Sequence, residues 1–425
     1  MRERPRLLLL ATTTGYQTRA FGEAAARQGV ELAFATDRCD RLDDPWRDAA
    51  VPIRFHQEDD AVTALVDAAR RRPFGGILVV GDRPVVIAAR LAEALGLPGH
   101  PPEAAAASRD KHRTRERLAA AGLRVPWFRA VAADTAPASL AATVPYPCVV
   151  KPLALSGSRG VIRADDPAAF VAACERLGRL LQSKEVRAMQ DPALDFVQVE
   201  SFVPGREYAV EGLLEQGRLR VLAIFDKPDP LDGPFFEETI YVTPPDLSEA
   251  ARLAVEAAVE SAARAIGLRH GPVHAECRVN DAGVFVLEVA ARPIGGLCAR
   301  CLRFEAAGAD LSISLEELLV RHAMGWSTAD WRREARASGV MMIPIPHAGL
   351  YRRVDGEAAA AAVDGVDAVQ VTAKPDQQLV PLPEGASYLG FIFAHGSTPA
   401  AVVASLRAAH ACLRFRIDPV LPVVS

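Results

Sequence analysis

Lys151 closes an apolar run, Cys148 to Val150, and a small flexible stretch, Ser156-Gly157-Ser158-Arg159-Gly160, follows within a few residues. That order suits phosphate, because the loop's backbone N–H groups can point at anionic oxygens while the ammonium supplies charge. An edge-strand lysine before a solvated hairpin loop would look the same, and the glycine-lysine spacing of a P-loop is missing. Further on, Glu200-Ser201-Phe202-Val203-Pro204-Gly205-Arg206-Glu207 sets two carboxylates seven residues apart around a turn. A hinge of this kind can offer an N–H and a C=O to an adenine edge, an apolar slot at Phe202 and Val203, and a carboxylate for ribose hydroxyls. A surface hairpin with ordinary acidic residues is the competing reading.

Carboxylates also recur in apolar, strand-like surroundings: Glu237 and Glu238, Glu276, and Glu288. Glu276 and Glu288 fall on the two arms of one predicted hairpin, where an unpaired charge would cost several kcal/mol, so a cation should face them. Hard oxygen ligands without clustered His or Cys favour magnesium over zinc. Arg292 adds either a guanidinium fork for an anionic intermediate or a buried salt bridge to one of these glutamates. Gly295-Gly296 leaves room for close substrate approach.

The elements that must position these residues are legible from periodicity. Residues 6–11, 30–36 and 77–82 are short apolar runs alternating with helical stretches, which predicts a Rossmann-like parallel sheet. Its first turn lacks the GxGxxG spacing, so no nicotinamide cofactor is expected. After a Pro/Gly-rich junction at Gly96 to Pro102, residues 103–123 read as one helix stopped by Gly122. The middle third turns to strands, with hairpin turns at Glu215-Gln216-Gly217 and Asn280 to Gly283, and an amphipathic helix over 247–268. From Trp331 onward a final α+β stretch follows.

A length of 425 residues predicts about three domains at roughly 150 residues each. Apolar residues make up 50% and charged residues 24%, a globular balance. The net charge of −4 supplies no positive field for nucleic acid or an anionic membrane. Seven scattered cysteines suit reduced thiols; Cys298 and Cys301 form an isolated CxxC, expected as two small semi-buried side chains. Arg2, Arg4 and Arg6 precede an apolar run that ends at Ala11, before Thr12-Thr13-Thr14-Gly15, which is too short for an export signal. A soluble, cytoplasmic protein is expected.

Taken in order, Lys111, Lys151 with its loop, the Glu200 hinge with Glu207, Glu276, and Glu288 with Arg292 resemble the ATP-grasp superfamily over nearly the whole length. The stretch 225–245, the ending Glu288 to Gly296 and the segment 385–396 are similar to its L-amino-acid ligase and carboxylate-amine ligase branch. The resemblance implies an α/β and α+β chain: a Rossmann-like pre-ATP-grasp domain over 1–105, a nucleotide clamp over 106–330 with its lid at about 130–200, and a C-terminal cap over 331–425. It implies ATP and magnesium, with manganese as a substitute. Lys111, Lys151 and the loop Ser156, Gly157, Ser158 and Gly160 would meet the phosphates; Glu200, Ser201, Phe202 and Val203 the adenine; and Glu207 the ribose. Glu238, Glu276 and Glu288 would hold the metal, Arg292 the transferring phosphoryl group and the tetrahedral intermediate, and Gly295-Gly296 the amine. Many members carry Asn where this chain has Ala290, which is why Glu238 is given a metal role, with His274 as the rival ligand. The expected activity is ligation of a small carboxylate to an amine through an acyl phosphate, in a chain that could pair as a homodimer. A bicarbonate-activating carboxylase or phosphoribosylamine-type ligase and a non-catalytic ATP-binding module are the alternatives.

Overall fold

The computed structural model describes residues 4–12, 15–37, 50–306 and 311–419. Arg2, Thr13, Thr14 and Cys39, which enter the sequence reading, lie outside them. The chain begins with a parallel sheet in the order Val51–Pro52, Glu31–Thr36, Arg6–Ala11, Gly76–Val80. Leu7 to Leu10 are fully buried, as expected for a strand covered on both faces.

Residues 103–123, read as one helix, form two: Pro102–Arg109 and Lys111–Ala120. The break is chemical. Asp110 takes an extended conformation and its carboxylate accepts from the N–H groups of His112 and Arg113 at 2.8 and 3.0 Å, capping the second helix. Lys111 therefore starts a helix, and its ammonium donates to the Leu155 carbonyl at 2.7 Å, beside the Ser/Gly loop.

Two antiparallel sheets follow. The smaller runs Phe128–Ala132, Phe196–Ser201, Cys148–Pro152, Ile162–Ala164, with the helix Pro167–Leu181 supplying Phe170, Leu177 and Leu181 to its core. The larger has eight strands, in the order Gly283–Ala290, Gly271–Asn280, Arg206–Glu215, Arg218–Asp226, Ile240–Thr243, Ala337–Ile343, Gly390–Gly396, Val366–Val371. Both predicted hairpins are present; Gln216 and Gly217 at the first turn have φ of 52° and 85°, as a tight hairpin turn demands. The last three strands come from the segment expected as a cap. They continue the central sheet because Ile240–Thr243 pairs along its length with Ala337–Ile343. Glu237 and Glu238, expected in a strand, sit instead in irregular backbone between Asp226 and Ile240, where Pro228, Pro230, Gly233 and Pro234 cannot sustain a ladder.

The parallel sheet docks on the helix Leu315–Ala323. Arg27 pairs with Glu317 at 3.0 Å, and Gly76 lies so close that a Cβ there would stand 2.2 Å from the Ala323 carbonyl oxygen. Among the described residues no helix is long and apolar enough to cross a membrane. Two Gly-to-Ala changes should act with opposite sign. Gly76→Ala forces backbone apart and should lower stability by about 1–3 kcal/mol. Gly22→Ala, inside the helix Tyr16–Arg27 with nothing within 4 Å of its would-be Cβ, should raise it by up to about 1 kcal/mol. Thermal and denaturant melts of both variants check this.

Candidate active site

A cavity of about 910 Å³ opens where the parallel sheet, the small sheet, the central sheet and the 372–391 segment meet. Every site residue expected from the sequence lines it except Gly160.

At one end lies the strand Cys148–Pro152. The buried Lys151 ammonium donates to Glu200, whose carboxylate also takes Arg115 at 3.0 Å and the Gln198 amide at 2.9 Å. Burial works against ionised Glu200, but Arg115 and Lys151 overcome it and hold the carboxyl down to about 2. Burial, with Arg115 and Lys111 adding to it against the pull of Glu200, pushes Lys151 down to about 8. Arg115 alone can balance Glu200, so Lys151 carries the labile proton. The Glu200 side chain is thus turned into the protein, and only the hinge backbone is free to meet a base. The N–H groups of Ser201 and Phe202 are taken by the carbonyls of Trp127 and Pro147, while that of Val203 has no partner among the described residues. Phe202 and Phe236 stack at 6.4 Å and, with Val149 and Leu231, form an apolar cluster beside it.

The Ser/Gly loop is left-handed at Gly157, Ser158 and Gly160. Gly160 is required twice: its φ is +73°, and a Cβ would meet Leu177 at 2.8 Å. Its N–H donates to the Pro383 carbonyl at 2.8 Å. Arg159 does not join the positive group formed by Lys111, Lys151 and Arg292. Its guanidinium turns to Glu185 at 2.9 Å and to the Glu384 carbonyl at 2.8 Å, and Arg176 also grips the Glu384 carboxylate.

The floor is acidic. Among the described residues, the carboxylates of Glu207, Glu238 and Glu276 bring oxygens within 4.8 Å of one another. Lys227, absent from the sequence reading, places its ammonium among them, 2.7 Å from Glu207, 3.1 Å from Glu276 and in a short contact with Glu238. Burial lifts Glu238 to about 7 against the pull of Lys227. Arg278 holds Glu207 at 2.9 Å, so the residue assigned to ribose sits inside an ion-pair network. His274 bonds Glu211 at 2.5 Å; burial opposes its charge, but Glu211 wins and raises it to about 9. With Nδ1 held by Glu211 and Nε2 3.7 Å from Glu276, His274 would have to give up its proton to serve as the rival metal ligand. Glu288 stands opposite Glu276 in the hairpin register, and its side chain makes no hydrogen bond or ion pair among the described residues. Five carboxylates, Glu207, Glu211, Glu238, Glu276 and Glu288, therefore face three cations, Lys227, Arg278 and His274.

Arg292 is buried and clamped by Asp82 at 2.7 and 3.2 Å. The expected rival was a salt bridge to a hairpin glutamate; the partner comes instead from the other sheet. Burial disfavours both charges, yet each holds the other ionised. Asp82 follows the strand Gly76–Val80 at its carboxyl end, the edge where open parallel sheets place ligands, and that signal was available in the sequence. Lys227, a lone lysine closing an apolar strand ahead of the glutamates, was a weaker one. Gly295 and Gly296 follow Arg292 on the cavity wall, with Phe391 3.3 Å from a would-be Gly296 Cβ.

Comparison with known proteins agrees with this layout. Residues 22–99 match the ATP-grasp N-terminal domain, 144–300 the ATP-grasp domain and 341–418 the L-amino acid ligase C-terminal domain 2. The crystal structure of an L-amino acid ligase from Bacillus licheniformis superposes with a TM-score of 0.81 at 28% identity, over 98% of this chain and 100% of that one. Carnosine synthase 1 of Gallus gallus is 29% identical over 326 residues, 72% of this chain and 34% of that protein. Alanine–anticapsin ligase of Bacillus subtilis is 27% identical over 238 residues, 52% of this chain and 49% of that protein. The chain thus spans half or less of the length of these two curated relatives. It belongs to the ATP-grasp family and carries the C-terminal domain of the L-amino acid ligases.

Proposed function

We propose that the chain is an ATP-dependent ligase that joins a small carboxylate, an amino acid in the first instance, to an amine. The reading is carried by one observation: Lys111, Lys151, the Ser/Gly loop, a carboxylate surplus and the clamped Arg292 all face a single cavity. The likeness to an L-amino acid ligase over nearly the full chain supports it. In the reaction, a substrate carboxylate oxygen attacks the γ-phosphorus of ATP, the bond to the β-phosphate oxygen breaks, and ADP leaves an acyl phosphate. The amine then attacks the acyl carbon, phosphate departs with the bonding pair, and the amine gives up its proton.

Phosphoryl transfer needs placement and charge more than a side-chain nucleophile. Lys111 and Lys151 would orient the phosphates, the loop would cover them, and the hinge from Glu200 to Val203 with Phe202 would seat the base. Glu207 would reach the ribose from its ion-pair network. Glu238 and Glu276, which lie together with Glu207, and Glu288 on the same cavity wall offer only oxygen donors, in excess of their cations, which fits magnesium or manganese. A divalent ion held there would neutralise phosphate charge. Arg292, fixed by Asp82, would meet the oxygens that gain charge, near Gly295 and Gly296, where the amine would enter. On this reading residues 1–105, 106–330 and 331–425 act as pre-ATP-grasp domain, clamp with lid, and C-terminal domain. The described cysteines are free thiols, which supports a reducing, cytoplasmic setting.

A pairwise screen of amino acids and other small carboxylates with amines, following ADP release and product mass, tests the reading directly. Arg292→Ala and Glu288→Ala should each cut turnover about a hundred- to a thousandfold in folded protein; full ADP release by either would sink the mechanism. Asp82→Asn should lower kcat by about ten- to a hundredfold, with a smaller change in KM, because the guanidinium loses its orientation.

Nucleotide binding should also depend on pH. Phosphate beside Lys151 favours its charged form, so the complex holds more protons than the free protein above about pH 8. ADP affinity should then fall by up to about tenfold per pH unit above that point, and Lys151→Arg should flatten the slope. Calorimetric titrations between about pH 7.5 and 9.5 decide it.

A further inference from the structure

Lys227 has no role in the reaction described above, yet it lies directly behind the carboxylates that line the cavity, its side chain 3% exposed. Its ammonium touches Glu207, Glu238 and Glu276 together. Two of these, Glu238 and Glu276, are assigned to the divalent cation, and Lys227 occupies one oxygen, Oε1, of each, so an ion seated on those oxygens has to displace the ammonium. The third, Glu207, lies outside that set. The Tyr241 ring also lies 4.9 Å from the Lys227 nitrogen, and the Tyr241 hydroxyl donates to Glu238 at 2.7 Å. Lys227 can therefore release Glu238 and Glu276 while keeping Glu207 and the aromatic face.

We propose that Lys227 is a place-holding counter-ion: it neutralises the carboxylate group in the metal-free protein and yields Glu238 and Glu276 when a divalent cation arrives. The inference rests on the metal-binding reading given under the proposed function. Arg278 touches Glu207 and His274 lies 3.7 Å from Glu276, but among the described residues Glu238 has Lys227 as its cation, and a buried carboxylate beside two others needs a positive charge at every stage. A tethered ammonium supplies it in advance, and it also raises the threshold for metal binding, because the incoming ion must displace a contact already made. Metal then binds weakly alone and tightly when nucleotide phosphates add their own oxygens.

The test is Mn²⁺ binding to the full chain without nucleotide, read by the loss of the free-ion electron paramagnetic resonance signal, together with melting temperatures in EDTA and in Mn²⁺. Lys227→Met should bind Mn²⁺ at least about tenfold more tightly than the wild type. It should melt earlier than the wild type in EDTA and regain most of the difference with Mn²⁺. Lys227→Arg, which keeps the charge, should bind no tighter than the wild type. Unchanged or weaker Mn²⁺ binding by Lys227→Met overturns the proposal and leaves the metal site standing. If the wild type takes up no Mn²⁺ even with ATP, the metal reading falls and this inference with it. Should Lys227→Met fail to fold in EDTA, folding on addition of Mn²⁺ supports the role, and failure to fold with Mn²⁺ present overturns it.

Discussion

The buried carboxylate of Glu200 is the contact on which the rest of the arrangement depends. It belongs to a strand of the small sheet and is held by Lys151 from the neighbouring strand and by Arg115 from the helix Lys111–Ala120. Arg115 also donates to the Val286 carbonyl in the central sheet at 3.1 Å. One ion triplet thus ties a helix and two sheets together at the point where Lys151 meets the cavity. Its Arg is among the largest fully buried side chains in the protein, and a guanidinium is the side chain that can hold a carboxylate and a carbonyl at once.

The same logic of charge recurs around the cavity. Lys227 sits within a carboxylate group, His274 is held charged by Glu211, and Arg292 is clamped by Asp82. Burial alone would neutralise each of these groups, and each keeps its charge through a partner supplied from another strand or another sheet. Such a wall is preorganised: its dipoles and charges are fixed by the fold before a substrate arrives, which is where electrostatic catalysis draws its advantage. Clamping an arginine across two sheets also makes its aim depend on how well the first sheet docks, so packing at Gly76 and Arg27 bears on chemistry some distance away.

Much of this was legible in the sequence, for a physical reason. Strands such as Arg6–Ala11 and hairpins such as 206–226 are written in local periodicity and turn residues, and the ordered series from Lys111 to Arg292 marks the cavity's residues one by one. What could not be read were pairings between distant segments. Asp82 meets Arg292 across 210 positions, and Arg115 meets Glu200 across 85. Lys227 drew no notice because its partners, Glu207, Glu238 and Glu276, stand 20, 11 and 49 positions away. The single helix expected over 103–123 failed at Asp110, whose capping bond competes with helix continuation, and the strand expected at Glu238 failed on its prolines. That the final segment would extend the central sheet depended on the pairing of Ile240–Thr243 with Ala337–Ile343, which no window of sequence contains.

The Ser/Gly loop is fastened from outside. Gly160 gives its N–H to Pro383, Arg159 reaches the Glu384 carbonyl, and Arg176, on the helix behind the loop, grips the Glu384 carboxylate. The loop and the stretch of chain near the cavity's aromatic wall therefore share a clasp. Any outward motion of the loop must slide or break it, so how readily the cavity opens on that side is written partly in residues that do not line it. Drift in the sequence around residues 383 and 384 can retune that opening without altering the side chains that face the cavity.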